Sequence, residues 1–158
     1  MANEANEARR RFPEIEARGL DGRIYRLPGE LEGERNILLL AFHRHQQRVV
    51  DGWLAPLLEL ERRLHGVRVY EVPTISRSWS PLRWFIDGGM TRGIPDPGAR
   101  ARTLTTYTTV EEVVSALGLS GTETIAVVAV NRSGEIEWQG GGDFDEPQLS
   151  ALTAALEG

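Results

Sequence analysis

The stretch Arg35–Phe42 constrains the fold of this chain more than any other part of its sequence. After an arginine and an asparagine it is apolar without interruption from Ile37 to Phe42. Alternating apolar residues would cover one face of a sheet, whereas a continuous apolar run indicates a strand that is covered on both faces. The run is too short to cross a bilayer as a helix. We therefore expect a buried strand whose sheet has helices packed on both sides.

Strand and helix patterns alternate along the rest of the chain. Asp21–Gly22 predicts a tight turn with positive φ angles in a small hairpin at Leu20–Tyr25, and Asn131–Gly134 predicts the turn of a second hairpin. The other predicted helices are 48–64, 82–90, 110–117 and 147–156, and the other predicted strands are 67–72, 104–107, 124–130 and 135–138. This order predicts a partly parallel sheet, and the second hairpin adds an antiparallel strand that makes the sheet mixed.

Length, targeting signals and net charge limit the kinds of protein that this sequence can encode. The chain has 158 residues, which suits one domain, and we expect a flexible, polar leader over 1–11 followed by a single domain over 12–158. No segment has the pattern of a secretory signal or of a membrane-spanning helix, so we expect a cytoplasmic protein without membrane insertion. The net charge of −5 argues against nucleic acid as a partner, because nucleic-acid binders usually carry a basic face.

Cysteine is absent from the chain, and all 18 basic residues are arginine. The missing cysteines exclude disulfides, thiolate metal sites and every mechanism that uses a thiol. The missing lysines exclude Schiff-base chemistry. We expect no cofactor.

Two stretches resemble a known fold family. The first runs from Leu20–Gly22 through Leu27–Pro28 to Asn36–Phe42, and the second is Asn131–Ile136. They are similar to the opening and the late hairpin of peroxiredoxins and their relatives, the redoxin branch of the thioredoxin fold. The resemblance spans about Leu20 to Leu156. It implies an α/β fold, namely a thioredoxin-like three-layer α/β/α sandwich with a mixed central sheet and an N-terminal β-hairpin.

A narrower resemblance concerns the assembly factors for the membrane sector of mitochondrial ATP synthase. The matching residues are Val50–Pro56, Tyr70–Val72, Ser78–Trp79 and Gly134–Gly142 with Glu146. The chain departs from that family in lacking a transit peptide and in the loop 93–102. The run Gly140–Gly142 lacks the ending of a phosphate-binding loop, and we expect a flexible turn there.

The family's reactive thiols define positions that this chain fills differently. The resemblance places Cys-x-x-Cys at Gln47, Arg48, Val49 and Val50, none of which is a nucleophile. The family's cis-proline corresponds to Glu123, and we expect a trans bond there because a cis bond before another residue costs about 2.5–4 kcal/mol. Glu123 is either an exposed loop residue or a carboxylate that faces the helix N-terminus and pairs with Arg48.

His43 and His45 follow the buried strand directly. Alternate residues of an extended segment point the same way, so these two imidazoles are weak candidates for a metal site, with Asp51 as the nearest third ligand. They are also candidates for acid–base chemistry. The other interpretation is a polar loop beside the vacated redox site, and we expect no bound metal.

The segment Ser76–Phe85 contains three aromatic residues and two arginines. Trp84 and Phe85 fit the core face of the predicted helix, whereas Trp79 and Arg83 are candidates for an exposed protein-binding surface. Together these features predict a non-catalytic protein that binds or assembles a protein partner, with a homodimer as a further possibility. The alternatives are an enzyme or metal-binding protein that uses His43 and His45, and a thiol peroxidase that recruits an outside thiol.

Overall fold

The computed structural model describes residues 10–75, 102–108 and 110–157. Its strands are β1 (Ile15–Gly19), β2 (Ile24–Leu27), β3 (Arg35–Ala41), β4 (Val67–Ile75), β5 (Leu104–Tyr107), β6 (Ala126–Asn131) and β7 (Ile136–Gly141). Its helices are α1 (Gln47–Arg63), α2 (Val110–Leu117) and α3 (Glu146–Glu157), and a 3-10 turn (Arg44–Gln46) precedes α1. The predicted helix 82–90 and most of the predicted loop 91–102 lie outside the described residues.

The strands form one seven-stranded sheet in the order β2-β1-β5-β4-β3-β6-β7. Strand β3 runs parallel to β4 and antiparallel to β6, and β4 runs parallel to β5. The two hairpins, β1–β2 and β6–β7, lie at the two ends of the sheet. The predicted mixed sheet and N-terminal hairpin are therefore confirmed.

Helices cover both faces of this sheet. Helices α1 and α3 bury Trp53, Leu57 and Leu152 against one face, and α2 buries Val113 and Leu117 against the other. Strand β3 contributes to both apolar clusters, with alternate residues on opposite faces. Burying one such side chain contributes about 1.5–3 kcal/mol, so the two-sided apolar strand stabilises both helix layers at once. The predicted α/β/α arrangement is confirmed.

The first hairpin turn has a positive φ at Gly22 but not at Asp21, where it was also expected. Gly22 has a φ of +87°, which favours glycine, but no other residue type in the described ranges has a positive φ. Asp21 instead accepts a hydrogen bond on Oδ1 from the backbone N–H of Arg23, at 3.0 Å. The aspartate therefore stabilises the turn through its side chain.

The glycine run near the end of the chain is not a flexible turn. Gly140 and Gly141 belong to β7, and only Gly142, with a φ of +71°, follows the strand. A Cβ atom on Gly141 would lie 2.3 Å from the carbonyl oxygen of Ile125. Glycine is needed here because the backbone of the neighbouring strand approaches so closely.

The first described residues are hydrogen-bonded to the second hairpin and to the end of α2. The backbone of Ile136 donates to the carbonyl of Arg10, and Phe12 donates to the carbonyl of Gly134, both at 2.8 Å. Arg10 also donates from Nη1 to the carbonyl of Leu117 at 2.5 Å. Arg11 also forms an isolated β-bridge with Glu135, so the chain contacts the sheet from its first described residues.

None of the described helices combines the length and the apolar character that crossing a bilayer requires.

Candidate functional site

The candidate site lies where β3 ends and α1 begins. The chain leaves β3 at Ala41, passes through Phe42 and the 3-10 turn, and enters α1 at Gln47. Strand β6 pairs antiparallel with β3, and the partner of Leu40 is Ala126. The loop that precedes β6 therefore meets the beginning of α1, although the two segments are far apart in sequence.

Gln46 connects these two segments. Its Oε1 accepts hydrogen bonds from the backbone N–H groups of Phe42 and His43, at 2.8 and 3.1 Å. Its Nε2 donates to the carbonyl oxygen of Thr122 at 2.8 Å. The residue is 2% exposed. A buried amide that makes three hydrogen bonds holds the strand end, the turn and the loop in one arrangement.

Sequence reasoning missed Gln46, although one local signal was present. A glutamine at the third position of a helical turn often accepts from the backbone N–H of the capping residue, here His43. The bond to Thr122 has no such local signal, because the two residues are 76 positions apart.

Gln47 is the first of the four residues at which the resemblance to redoxins predicts the Cys-x-x-Cys positions. Its Nε2 donates to Asp51 Oδ1 at 3.0 Å and to Glu71 Oε1 at 3.1 Å. Both amide hydrogens are thereby used inside the protein. The Gln47 amide therefore bridges two carboxyl groups at the start of α1.

Glu71 is the second residue that sequence reasoning did not assign to the site. It lies on the central strand β4 and is 9% exposed. Burial raises the pKa of the Glu71 carboxyl above its ordinary value. The hydrogen bond from Gln47 opposes this rise in pKa, the nearby Asp51 carboxylate adds to it, and the Arg102 guanidinium opposes it. A carboxyl group in this environment holds its proton to a higher pH than an exposed one.

The other vacated positions carry no reactive group. Arg48 is exposed, Val49 is half-buried, and Val50 is 1% exposed in the apolar cluster beneath α1. Residues 47–50 thus combine one bonded amide, one cation and two aliphatic side chains.

Glu123 lies in the loop that faces α1, but it does not pair with the helix. The bond between Thr122 and Glu123 is trans, as expected, since the cis bond in the described ranges is Leu27–Pro28. A Cβ atom on Gly121 would lie 2.6 Å from Glu123 Oε1, so this carboxylate folds back over its own loop. Within the described residues no ion pair joins Glu123 to Arg48. Of the two interpretations, the structure has the exposed loop residue, and the Thr122 carbonyl faces the helix start instead.

His43 and His45 lie together, although Arg44–Gln46 forms a 3-10 turn and not the extended segment that the sequence predicted. Their rings are 5.5 Å apart between centroids and 9° from parallel, and His43 Nε2 lies 3.1 Å from Thr122 Oγ1. Asp51 does not join them as a third ligand, since it accepts from Gln47. Across residues 10–75, 102–108 and 110–157, no group of three or more potential ligands is placed to hold a metal ion.

Trp79 and Arg83 lie outside the described residues, so their role as binding candidates stays a prediction.

An open groove of about 480 Å³ lies at the opposite end of β3 and β4. Both acidic and basic side chains line it, among them Glu32, Glu61, Arg68 and Arg132. Glu61 is already paired with Arg102 at 3.1 Å. The groove is therefore separate from the vacated redox position and carries charges of both signs.

No protein-family model matches this chain, and no curated protein is similar to it by sequence. Solved structures are similar in fold. BsSco, a member of the Sco family of cytochrome c oxidase assembly proteins, matches with a TM-score of 0.67 and 10% identity over 94% of this chain and 92% of that chain. A thiol:disulfide interchange protein from Bacteroides sp. matches with a TM-score of 0.57 and 14% identity, over 96% and 91% of the two chains.

The exposed lipoprotein thioredoxin Etrx1 of Streptococcus pneumoniae strain TIGR4 matches with a TM-score of 0.57 and 12% identity, over 90% of this chain and 98% of that chain. The fold of this chain is thioredoxin-like. Identities this low establish the fold and leave the activity open. The thioredoxin-like scaffold here carries Gln47 and a buried Glu71 in a chain that contains no cysteine.

Proposed function

We propose that this protein uses its thioredoxin-like scaffold to bind a protein partner, in an assembly role, without thiol chemistry. One observation carries the proposal: Gln47, where the resemblance to redoxins predicts the first thiolate, donates both amide hydrogens to Asp51 and Glu71. A chain without cysteine has no thiol nucleophile, and the Gln47 amide at this position is already hydrogen-bonded inside the protein.

An assembly role is compatible with this fold. BsSco belongs to a family of cytochrome c oxidase assembly proteins and has a similar structure. The sequence resemblance to assembly factors for the membrane sector of ATP synthase supports a narrower form of the proposal, in which the partner is a subunit of a membrane complex. Co-purification of such subunits with this protein from its own host would support the narrower form, and their absence would remove it.

Redox assays test the absence of thiol chemistry. We expect the purified protein to reduce insulin disulfides and to consume hydroperoxide with glutathione at background rates. The matched control is the Gln47→Cys/Val50→Cys variant. Helix positions three apart place their Cα atoms about 5 Å from each other, within the range that a disulfide spans, so we expect this variant to oxidise reversibly. Turnover by the unchanged protein would contradict the proposal.

Site-directed photo-crosslinking tests the binding role. A photoreactive residue in place of the exposed Arg48 should capture a specific partner in the native host, whereas the same residue in place of Arg63, exposed at the other end of α1, should not. No capture at either position would count against the proposal.

The alternative, chemistry at His43 and His45, has less support. The stacked rings place two imidazoles together, but no third ligand accompanies them among the described side chains. Elemental analysis of protein purified without an affinity tag would decide between the two functions, because a stoichiometric metal ion would favour this alternative.

A further inference from the structure

The outer edge of the sheet at β2 has two backbone groups that point away from the neighbouring strand. Gly19 of β1 donates its N–H to the carbonyl of Arg23 at 2.8 Å, and the next pair is Arg18 with Ile24. Hydrogen-bonded pairs alternate with non-bonded pairs in an antiparallel ladder, so the N–H and the carbonyl of Ile24 face outward. Strand β2 is the last strand of the sheet, and within the described ranges no hydrogen bond uses these two groups.

Other outward groups on the two outer strands are bonded inside the protein. The N–H of Arg26 donates to Glu30 Oε1 at 2.7 Å, and its carbonyl accepts from the Glu30 backbone. On β7 the Gln148 side chain bonds both groups of Gly141. An edge that stays open invites pairing with another chain. Ile24 is a position at which the edge of β2 is open in this way.

The side chain of Ile24 and a cleft beside it offer an apolar contact at the same place. Ile24 is 57% exposed, and it is the large apolar side chain that the described part of the chain leaves at the surface. A cleft of about 80 Å³ next to it is lined by Glu16, Ala17, Arg18 and Ile24. A water molecule takes about 30 Å³ in the liquid, so the cleft has room for one small aliphatic side chain.

We propose that the edge of β2 at Ile24 binds an extended segment of a partner protein by β-strand addition. In this mode the backbone of the segment supplies hydrogen bonds, and pockets beside the edge accept its alternate side chains. Ile24 offers one N–H and one carbonyl to the segment, and the cleft takes an aliphatic side chain. This inference rests on the proposed binding role and names the kind of segment that is bound and the surface that binds it.

The structure disfavours a second copy of this chain as the occupant of this edge. Two β2 strands paired about Ile24 would need the outward groups of Arg26 for the next hydrogen bonds, and Glu30 already bonds both of them. The strand pairing would then be limited to one residue on each copy, far short of the area of about 1,000 Å² that a specific interface buries. An extended segment can pair at Ile24 and continue into the cleft, because no folded sheet fixes its direction.

An NMR titration with a short probe peptide tests the inference. The probe is a blocked tetrapeptide of alternating valine and threonine, added to the full isotope-labelled chain. We expect the amide resonance of Ile24 to shift and its hydrogen exchange to slow at millimolar peptide, because one pair of backbone hydrogen bonds binds weakly. The matched control peptide is N-methylated at every residue, so it keeps the side chains but cannot donate, and it should leave Ile24 unshifted. The amide of Gln139, on the opposite edge strand β7, is the internal reference.

Two variants separate the backbone contact from the side-chain contact. Ile24→Pro removes the outward N–H, which the sheet itself does not use, and proline is tolerated on an edge strand at such a position. Ile24→Thr keeps both backbone groups and removes the aliphatic contact, and it keeps the test valid if the proline variant folds poorly. Each variant should bind the probe about fivefold more weakly, followed through the amides of Arg23 and Tyr25.

Four results would overturn the inference. They are no shift of Ile24 with the probe, an equal shift with the N-methylated peptide, an equal shift of Gln139, and a dimer of the unchanged protein that Ile24→Pro loses in analytical ultracentrifugation. The last result would assign the edge to a second copy. Failure here is distinguishable from failure of the proposed function, because a partner captured through Arg48 that binds both Ile24 variants normally would keep the binding role and remove only this edge.

Discussion

Gln46 shows how one buried amide holds the candidate site together. Its three hydrogen bonds satisfy two backbone N–H groups and one backbone carbonyl at the junction of β3, the turn and the Thr122 loop. A buried backbone group without a partner costs about 1–3 kcal/mol. The stability of this junction therefore depends on a side chain with no chemical reactivity.

Replacing Gln46 with alanine should lower the free energy of unfolding by about 2–3 kcal/mol, because several buried groups lose their partner together. Urea denaturation measures the loss. The control is Thr122→Val, which removes the hydroxyl beside His43 but keeps the carbonyl that Gln46 binds, and it should cost less than about 0.5 kcal/mol. Equal losses for the two variants would show that the Gln46 amide does not hold the junction.

Glu71 makes the stability of the protein depend on pH. Because burial raises its pKa in the folded state, the folded protein binds this proton more tightly than the unfolded chain does. The resulting stabilisation is complete below the ordinary pKa of a glutamate and is lost as the pH rises through the raised pKa. Stability should therefore fall with rising pH across this window.

The Glu71→Gln variant should lose this part of the pH dependence. Its stability should match that of the unchanged protein at about pH 4 and exceed it at about pH 8, because no buried charge forms. Thermal unfolding at a series of pH values measures the difference. Glu16→Gln, at a carboxyl whose side chain is 66% exposed, is the control and should leave the slope unchanged. If the stability of Glu71→Gln depended on pH as steeply as that of the unchanged protein, Glu71 would not be the source of this pH dependence.

At the scale of elements, hydrogen bonds from nearby residues occupy backbone groups on the two outer strands of the sheet. On the outer strand β2, the N–H of Arg26 donates to Glu30 Oε1 at 2.7 Å, and its carbonyl accepts from the Glu30 backbone at 2.9 Å. On β7, the N–H and the carbonyl of Gly141 are both bonded by the Gln148 side chain at 3.0 Å. Edge strands without such cover invite pairing with another chain. At Arg26 and Gly141 the outward backbone groups are therefore not open to a second chain, and a homodimer stays a prediction.

In the first half of β4, side chains also bond backbone groups that have no strand beside them. Val69 donates its N–H to Glu61 Oε2 at 2.8 Å, and its carbonyl accepts from Arg102 Nη1 at 2.8 Å. Glu61 and Arg102 also pair with each other. Strand β5 pairs with the later residues of β4, so this ion pair supplies the hydrogen bonds that β5 does not reach.

Gln148→Ala should destabilise the protein by about 1–2 kcal/mol, because two backbone groups of Gly141 lose their partner. Chemical denaturation measures the loss, and light scattering should show more self-association through the opened edge of β7. Ser150→Ala, at an exposed position of the same helix, is the control and should be neutral or slightly stabilising. If both variants behave alike, Gln148 does not protect this edge.

The ends of a helix were predictable where the spacing of apolar residues along the chain marks them. The prediction for α2 matches residue for residue, and α1 is displaced by a single residue. Strand β4 is longer than predicted because it continues through Pro73 to Ile75. Pro73 pairs with Ala41, the last residue of β3, where the missing N–H breaks no continuing ladder. From the sequence alone, a proline predicts the end of a strand. In the fold, β4 can contain Pro73 because β3 ends opposite it.

At the scale of the whole molecule, the sheet order decides which residues meet. The antiparallel pairing of β3 with β6 brings Thr122 to Gln46, and the parallel pairing of β3 with β4 brings Glu71 to Gln47. These pairs are 76 and 24 positions apart along the chain. His43 and His45 were placed together by the sequence because they are two residues apart, which is within the reach of local geometry.

The sequence by itself determined the layered α/β class and the absence of a cysteine thiol in this chain. A strand that is apolar on both faces has to be covered on both sides, and a chain without cysteine has no sulfur nucleophile in any conformation. Only the tertiary structure decided that Gln46 and Gln47 close the vacated site, and that Glu71 lies beside it. Hydrogen bonds are short and directional, so their partners follow from the three-dimensional path of the chain and not from residue types.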